Sequence, residues 1–320
     1  MTFMTKVEQL RDIIDKNLLP IIGKKAVLVD APYYDNVGDV LIWQGIQDFL
    51  KSNGIKLLYT TSGDTFTFPP IDPDVTILLM GGGNFGDLWR WFQDIRIKVI
   101  ESYPGNRIVM FPQSIWYEDE NTISKDYEIF KKHPNLYLCA RDKWSYDFLN
   151  THFSDCKILL VPDMAFYISD EVLSQYRNIG KNRHLFLRRL DKEITSSTPD
   201  ELDRNSEIHD WPTIEFKDQR FATYRNLLNW KWRFRKIPLL RKLVLHSIDR
   251  WADRNIRKSM VKEGCAFLSS YQDLTSTRLH ALILGVLLYK PVQYIDNTTG
   301  KLSAFAQTWL NDLSEVRKYE

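Results

Sequence analysis

The chain has 320 residues, of which 44% are hydrophobic and 26% are charged, and its formal net charge is +2. A chain of this length and composition is globular and is long enough for two domains of ordinary size. The balanced charge argues against a dedicated nucleic-acid binder, so nucleic acid is not among the expected partners. Three widely spaced cysteines predict no disulfide framework, and the sequence has no cluster of histidine and cysteine typical of a zinc site.

The first twenty residues carry scattered charges on a helical pattern, which predicts an N-terminal amphipathic helix over residues 1–20 and not a signal peptide. No run approaches the roughly 20 apolar residues of a membrane-spanning helix. We therefore expect a protein that is soluble or bound peripherally to a membrane.

Residues 21–168 alternate short apolar runs with helical patterns, which predicts a Rossmann-like domain with a parallel sheet and helices on both of its faces. The predicted strands are residues 26–30, 55–59, 75–80, 107–111, 136–141 and 157–163. Asn36 and Asp39 follow the first strand, at the sheet edge where ligands bind in such folds, and residues 162–165 form another possible site loop. An ordinary helix N-cap explains Asp39 equally well.

Gly81, Gly82, Gly83 and Asn84 directly follow the third predicted strand. Glycines at this point allow a ligand or a neighbouring backbone to come close, and a helix predicted from Leu88 would add free backbone N–H groups. The pattern matches neither a Walker loop nor a dinucleotide-binding glycine motif in its usual first-strand position. A tight turn without a ligand is the alternative interpretation.

The strand pattern lapses over residues 169–182, the predicted domain connection, and a second Rossmann-like domain is predicted over residues 183–320. Its predicted strands are residues 184–189, 265–269 and 292–296, with a last helix over residues 303–310. Residues 191–220 are polar and weakly patterned, which is typical of a long excursion or a lid. Arg188 and Arg189 end the first of these strands and should point to opposite faces, so only one is expected to face a cleft.

Residues 274–291 predict an apolar helix that starts at residues 275–277 and carries Arg278 and His280 in its first turn. Free backbone N–H groups and the helix dipole favour a bound anion at that position. A guanidinium holds an anion in bidentate fashion, and an imidazole can offer a proton near neutral pH. The pattern therefore predicts acid-base chemistry on an anionic substrate. The alternative is a surface arginine beside a capped, partly buried histidine.

Within residues 229–258, Trp230 and Trp232 are interleaved with basic residues that include Arg233 and Arg235. Tryptophan mixed with lysine and arginine is typical of an interfacial membrane anchor, which makes an anionic membrane surface an expected partner. Two alternatives stay open: a core helix with a solvated basic face, and a nucleic-acid surface.

Taken together, these motifs resemble those of the polysaccharide pyruvyl transferase family. The likeness is carried by Asn36-Val37-Gly38-Asp39, Gly81-Gly82-Gly83-Asn84 with Asp87, Arg141-Asp142, and Ser276-Thr277-Arg278-Leu279-His280. The resemblance spans residues 26–307 and implies two Rossmann-like domains facing a cleft, as in the glycosyltransferase-B fold. It also implies transfer of the enolpyruvyl unit of phosphoenolpyruvate onto two sugar hydroxyls as a cyclic ketal. The N-terminal domain would then bind the acceptor and the C-terminal domain the phosphoenolpyruvate.

The resemblance implies a role for each motif residue. His280 would be the general acid, and Asp39 and Asp87 would orient the sugar hydroxyls or act as the base. The phosphoenolpyruvate site would comprise Thr277, Arg278, Leu279, Arg188 and Arg189. The acceptor site would comprise Asn36, Gly83, Asn84 and Arg141. Residues 191–258, the least similar part, would form a variable insertion that faces the membrane through Trp230, Trp232, Arg233 and Arg235.

No cofactor and no metal are expected, because phosphoenolpyruvate is a co-substrate and its transfer needs only a proton donor and an anion clamp. The expected acceptor is a galactose-type sugar on a polyprenyl-diphosphate-linked precursor of a capsular polysaccharide or exopolysaccharide. The reaction would take place in the cytoplasm, at the inner face of the cytoplasmic membrane. Two other functions remain open: a nucleotide-sugar-dependent glycosyltransferase of the same fold, and a non-catalytic, membrane-docked scaffold of a polysaccharide assembly complex.

Overall fold

The computed structural model describes residues 1–177, 182–191, 193–196, 198–202, 206–216, 218–234 and 236–320. Within these ranges twelve strands form two parallel sheets, which confirms the predicted α/β class. The first sheet contains β1 (Lys25–Val29), β2 (Lys56–Thr60), β3 (Thr76–Leu79), β4 (Gly82–Gly86), β5 (Ile108–Trp116), β6 (Leu136–Ala140) and β7 (Lys157–Leu160). The second sheet contains β8 (His184–Leu187), β9 (Ser206–His209), β10 (Asp273–Ser276), β11 (Val292–Tyr294) and β12 (Val316–Lys318).

The strand order of the first sheet is β2-β1-β3-β5-β6-β7, and β4 pairs with the second half of β5. The order of the second sheet is β12-β11-β10-β8-β9. The helices are α1 (Phe3–Leu18), α2 (Val37–Ser52), α3 (Arg90–Ser102), α4 (Glu120–Phe130), α5 (Lys143–His152), α6 (Asp170–Leu173), α7 (Pro212–Glu215), α8 (Gln219–Arg233), α9 (Pro238–Ala252), α10 (Ser259–Ser269), α11 (Leu279–Leu287) and α12 (Lys301–Trp309). Because parallel strands end at one edge of a sheet, the loops that follow them cluster there.

Helix α2 lies between the two halves and is buried along most of its length. Asn36 caps the helix by accepting a hydrogen bond from the backbone N–H of Gly38 at 3.0 Å. Gly45 lets α2 approach the short turn Met164–Tyr167, because a Cβ at this position would lie 1.8 Å from the carbonyl oxygen of Met164. The helix therefore carries the first motif into the space between the sheets.

The expected N-terminal amphipathic helix is present as α1, with its apolar face buried. Arg11 anchors it by donating to the carbonyl oxygens of Phe166 at 2.9 Å and Ile168 at 2.6 Å. Buried residues of α1, α2 and α11 belong to one continuous apolar core. The two halves are thus joined by a shared core, which fixes the position of the cleft walls relative to each other.

Two predicted loops of the first half are strands. The glycine segment forms β4, and residues 112–115 continue β5, so the loop predictions for both are wrong. Strand β4 runs so close to β5 that a Cβ on Gly86 would lie 1.7 Å from the carbonyl oxygen of Trp116. The glycines here serve close backbone approach between strands, and the following helix begins at Arg90 instead of Leu88.

The prediction of a strand over residues 265–269 is also wrong, because these residues end helix α10. A short apolar run does not by itself distinguish a buried strand from one face of a buried helix. The strand lies instead at Asp273–Ser276, so Thr275 and Ser276 belong to β10. Helix α11 therefore begins at Leu279 with Arg278 as its N-cap residue.

The polar stretch over residues 191–220 is not simply an excursion, because it supplies strand β9 and helix α7. Strand β9 lies at the edge of the second sheet, and its sequence Ser-Glu-Ile-His has little of the apolar pattern of a buried strand. Strand β12, at the opposite edge, was not predicted either.

Candidate active site

A cavity of about 350 Å³ opens between the two halves. The first half contributes Asn36, Asp39, Gly83, Asn84 and Arg141 to its wall. The second half contributes Arg189, Arg278, Leu279 and His280. The structure therefore brings residues from all four sequence motifs to one cleft, although the motifs lie far apart in the chain.

His280, in the first turn of α11, is held by the buried carboxylate of Asp163. Its Nε2 lies 3.3 Å from Oδ2 of Asp163, and Nη1 of Arg141 donates to the same oxygen at 2.9 Å. The other carboxylate oxygen accepts the backbone N–H of Ala165 at 2.9 Å. Burial alone would raise the pKa of Asp163, but charge attraction and hydrogen bonds from His280 and Arg141 lower it to about 2. Asp163 is thus an ionised group that orients the His280 ring and can balance a positive charge on it.

The position of the His280 ring also depends on a glycine of α2. A Cβ on Gly38 would lie 2.4 Å from Nδ1 and 2.8 Å from Cγ of the ring, well inside ordinary contact distance. No other amino acid fits at position 38 unless the imidazole moves. The first sequence motif therefore supplies a helix cap at Asn36, space at Gly38 and a carboxylate at Asp39.

Asp39 takes part in a hydrogen-bond network at the start of α2. Its Oδ2 accepts from Oη of Tyr34 and Nδ2 of Asn36, both at 2.8 Å, and Nδ2 of Asn84 donates to Oη of Tyr34 at 3.2 Å. Burial and the neighbouring Asp39 charge keep the pKa of Tyr34 well above its ordinary value, so the phenol remains a donor. A Cβ on Gly82 would lie 3.3 Å from Oδ1 of Asp39, so glycine leaves space beside this second oxygen.

Arg278 is fixed in the second-half wall by a bidentate pair with Asp210. Its Nε and Nη2 donate to Asp210 at 2.5 and 2.6 Å, and Nη2 also lies 3.3 Å from a carboxylate oxygen of Asp191. The expectation of a guanidinium that offers its paired donors to an anion needs correction, because Asp210 already occupies them. Nη1 bonds to none of the residues that the structure describes.

Arg189 and Lys301 complete a network of ion pairs on the same wall. Arg189 donates to Asp191 at 2.7 and 2.9 Å and to Glu193 at 2.8 Å. Nζ of Lys301 donates to Oε2 of Glu193 at 2.5 Å. Burial would raise the pKa of Glu193, but the charges of Lys301 and Arg189 lower it to about 2. The cations of this wall are therefore held in fixed positions by ionised carboxylates.

Two predicted residues of the phosphoenolpyruvate site do not line the cavity. The guanidinium of Arg188 bonds to Asp200 at 2.8 Å, on the other side of the strand end from Arg189. Oγ1 of Thr277 accepts the backbone N–H of Arg189 at 2.9 Å and donates to the carbonyl oxygen of Leu187 at 3.2 Å. Thr277 thus ties the ends of β8 and β10 together and acts as a support.

Asp87, predicted as a catalytic carboxylate, also lies off the cavity wall. Its oxygens accept the backbone N–H groups of Glu118 and Asp119, each at 2.9 Å. This arrangement stabilises the turn that precedes α4. Asp39 is therefore the better placed of the two predicted carboxylates.

Sequence reasoning missed four charged residues that shape the site: Asp163, Glu193, Asp210 and Lys301. Asp163 follows β7 at the carboxyl edge of the first sheet. The sequence indicates a possible site loop at this position but no partner for His280. Glu193 and Asp210 lie in the stretch predicted as an excursion. No pattern in the sequence indicates that they meet the arginines, because these pairings depend on the folded chain.

Three of the four predicted membrane-facing residues lie on helix α8, and they do not line the cavity. Trp230, Trp232 and Arg233 are exposed, and Arg235 lies outside the described residues. Among the described helices none is long and apolar enough to cross a membrane. Within the same ranges no group of three or more histidine, cysteine or acidic side chains is arranged to hold a metal ion.

The fold consists of two parallel sheets with a charged cleft between them. The cleft contains an imidazole that a buried carboxylate orients. These features define an α/β enzyme whose site is formed by both halves. The family model described as polysaccharide pyruvyl transferase matches residues 36–299. The chain belongs to the polysaccharide pyruvyl transferase family. It is therefore a pyruvyl transferase that modifies polysaccharides. This membership favours neither of the two alternative functions, the nucleotide-sugar-dependent glycosyltransferase and the non-catalytic scaffold.

The chain is 32% identical over 304 residues to EpsO of Bacillus subtilis, a protein provisionally named a pyruvyl transferase, covering 94% of this chain and 90% of that protein. It is 27% identical over 301 residues to pyruvyl transferase 1 of Schizosaccharomyces pombe, covering 90% of this chain and 70% of that one. A crystal structure of a functionally uncharacterized protein from Klebsiella pneumoniae superposes with a TM-score of 0.63 at 17% identity, covering 97% of this chain and 98% of the other. That likeness supports the fold alone.

Proposed function

We propose that the protein transfers the enolpyruvyl group of phosphoenolpyruvate onto two hydroxyls of one sugar and closes a cyclic pyruvate ketal. The observation that carries the proposal is His280, oriented by Asp163 and facing a cleft that also holds Asp39. The sugar is a galactose-type residue of a polyprenyl-diphosphate-linked precursor, and the two halves are arranged in a glycosyltransferase-B-like manner. Phosphoenolpyruvate is a cytoplasmic metabolite, so the reaction takes place there.

His280 gives a proton to the methylene carbon of phosphoenolpyruvate, which makes the central carbon electrophilic. The proton comes from the imidazole ring, and Asp163 and Arg141 keep the ring in place as its charge changes. A buried, ionised carboxylate needs no rearrangement during this step. Such preorganised charge is a large contribution to catalysis in many enzymes.

The carboxylate and phosphate of the donor bind against the second-half wall. Nη1 of Arg278, the ammonium of Lys301 and the backbone N–H groups at the start of α11 are the donors that the cleft presents on this side. The carboxylates of Asp191, Glu193 and Asp210 hold the cations in place and also offset part of their charge. The fixed positions of the donor groups therefore contribute to binding of an anionic donor substrate, in addition to the net charge attraction.

Asp39 receives the proton of the attacking hydroxyl. Its Oδ2 is occupied by Tyr34 and Asn36, whereas Oδ1 has space beside Gly82. Asn84 and Asn36 orient the sugar hydroxyls from the same wall. The first hydroxyl bonds to the central carbon, phosphate leaves, and the second hydroxyl closes the ring. One hydroxyl proton replaces the proton given to the methyl group and the other leaves with inorganic phosphate, so the reaction balances without a redox partner.

The proposal is tested with purified protein, phosphoenolpyruvate, and separate galactose, glucose and mannose acceptors carried on lipid diphosphates. We expect phosphate release that depends on one acceptor and a product whose mass exceeds the acceptor by pyruvic acid less one water. An enolpyruvyl ether on a single hydroxyl has the same mass as the ketal, so NMR distinguishes the two. Vinylidene protons in the product, in place of a methyl group on a ketal carbon, would contradict ketal formation. Transfer from a nucleotide sugar in place of phosphoenolpyruvate would overturn the donor assignment.

A further inference from the structure

Helices α8 and α9 form a hairpin, here called the α8–α9 hairpin, whose tip exposes large apolar side chains. Trp232 is 63% exposed, Leu239 is 70% exposed and Leu243 is 55% exposed. Trp230 and Ile237 are about half exposed in the same region. Apolar side chains exposed together, rather than scattered singly, mark surfaces that contact a partner or a membrane.

The same hairpin concentrates the positive charge of the chain. Residues 219–248 contain eight of the 43 lysines and arginines and none of the 41 aspartates and glutamates. The remainder of the chain therefore carries six more carboxylates than basic groups. Arg233, Lys236 and Lys242 are exposed beside the apolar side chains. Such a surface is complementary to an anionic, partly apolar partner, and a lipid surface has both properties.

The hairpin is attached to the first half through side chains of both of its helices. Oδ1 of Asp249 accepts from Oη of Tyr33 at 3.1 Å and from Oγ1 of Thr65 at 2.7 Å. Oη of Tyr224 donates to Asp64 at 3.2 Å, and Lys231 bonds to the carbonyl oxygen of Asp64. Both helices of the hairpin are thus fixed to the loop that follows β2.

The attachment also lies next to the candidate active site. Tyr33 contacts α9 through Asp249, and the following residue, Tyr34, lines the cleft and donates to Asp39. The attachment of the hairpin therefore adjoins the acceptor-side wall of the cleft. This relation matters for a substrate that is anchored in lipid, but the docking itself does not depend on the proposed reaction.

We propose that the tip of the α8–α9 hairpin docks on an anionic lipid bilayer. Trp232, Leu239 and Leu243 enter the headgroup region, and the nearby basic side chains contact lipid phosphates. The contact is peripheral and reversible, because it combines interfacial apolar groups with screened charge attraction.

The test uses the full chain and two kinds of vesicle, one of phosphatidylcholine and one of equal parts phosphatidylcholine and phosphatidylglycerol. Sedimentation measures the bound fraction at low and high salt. We expect binding to the anionic vesicles that high salt releases, with a blue shift of tryptophan fluorescence on binding. The variant Trp232→Ser, Arg233→Gln, Lys236→Gln should bind at least roughly tenfold more weakly, because each basic residue near an anionic surface contributes appreciably.

A matched control changes one exposed tryptophan and two exposed lysines elsewhere: Trp144→Ser, Lys51→Gln and Lys132→Gln. This variant has the same charge as the hairpin variant and should bind as the wild type does. A second variant, Leu239→Ser with Leu243→Ser, keeps every charge and should lose binding to the anionic vesicles together with the fluorescence shift.

Three results would overturn the proposal. Equal binding by the hairpin variant and the matched control would mean that total charge alone causes attachment. Equal binding to neutral and anionic vesicles would remove the role of the basic residues. In the third result the wild type binds no lipid but forms a dimer in the absence of vesicles, and the Leu239 and Leu243 changes abolish that dimer. This result would mean that a second copy of the chain covers this face.

Discussion

Replacing Gly38 by alanine tests whether the position of His280 determines turnover. The added Cβ would lie 2.4 Å from Nδ1 of His280, whereas ordinary contacts begin near 3.4 Å, so the ring must move by about 1 Å. A displacement of this size at a reacting group can lower the rate roughly 100-fold, which corresponds to about 2.7 kcal/mol in the barrier. We therefore expect Gly38→Ala to reduce kcat strongly while the KM for phosphoenolpyruvate changes little.

The assay measures acceptor-dependent phosphate release under saturating substrate, with thermal unfolding followed in parallel. Gly105→Ala is the matched control, because a Cβ at Gly105 would meet no atom within 4 Å. The control should keep wild-type kcat and thermal stability. If Gly38→Ala kept more than about a tenth of the wild-type kcat, the reasoning that the ring must stay in place would be refuted.

Three further predictions concern charged groups. His280→Gln should lower kcat by roughly 100-fold to 10,000-fold while phosphoenolpyruvate still binds in calorimetry, and near-normal turnover would remove its role as the acid. Arg278→Lys should weaken phosphoenolpyruvate binding by about tenfold or more, because lysine cannot reproduce the bidentate pair with Asp210 that fixes the guanidinium; an unchanged Kd would count against this wall as the donor site. Burial raises the pKa of Asp249 to about 7, so the folded protein holds this proton to higher pH than the unfolded chain and loses stability as pH rises from about 4 through 7. Between about pH 5 and pH 8 the wild type should lose about 2–3 kcal/mol more unfolding free energy than Asp249→Asn does. Identical profiles of unfolding free energy against pH for the variant and the wild type would contradict this prediction.

The motif residues could be predicted to meet because of the geometry of parallel sheets. Asn36 and Asp39 follow β1, Asn84 lies beyond β3, and Arg141 follows β6, so all lie at the carboxyl edge of the first sheet. His280 lies after β10 at the corresponding edge of the second sheet. Once the strands are located, these loops converge whatever side chains lie between them.

The partners of these residues could not be predicted in the same way. Asp163 contacts His280 across 117 residues of sequence, and Asp210 contacts Arg278 across 68. Such pairs follow from the packing of two sheets and have no local spacing. The strand error at residues 265–269 has a different cause, since an apolar run of that length fits a buried helix face equally well.

The roles of individual glycines could not be predicted from the sequence. The run that starts at Gly81 predicted a ligand-binding loop or a turn, whereas Gly86 serves a close strand contact with β5. Gly38 lay inside a recognised motif, but only the structure shows that its missing side chain makes room for the His280 ring. The sequence indicates where backbone freedom or space is needed, but not which atoms use that space.

The central claim, that phosphoenolpyruvate is protonated at its methylene carbon during transfer, is tested most directly by running the reaction in D₂O. We expect the ketal product to contain one deuterium in its methyl group, because the proton that His280 donates is in exchange with solvent before each turnover. Mass spectrometry of the isolated product, after exchangeable positions are returned to hydrogen, measures this label. A product formed from phosphoenolpyruvate with no deuterium on carbon would contradict the account.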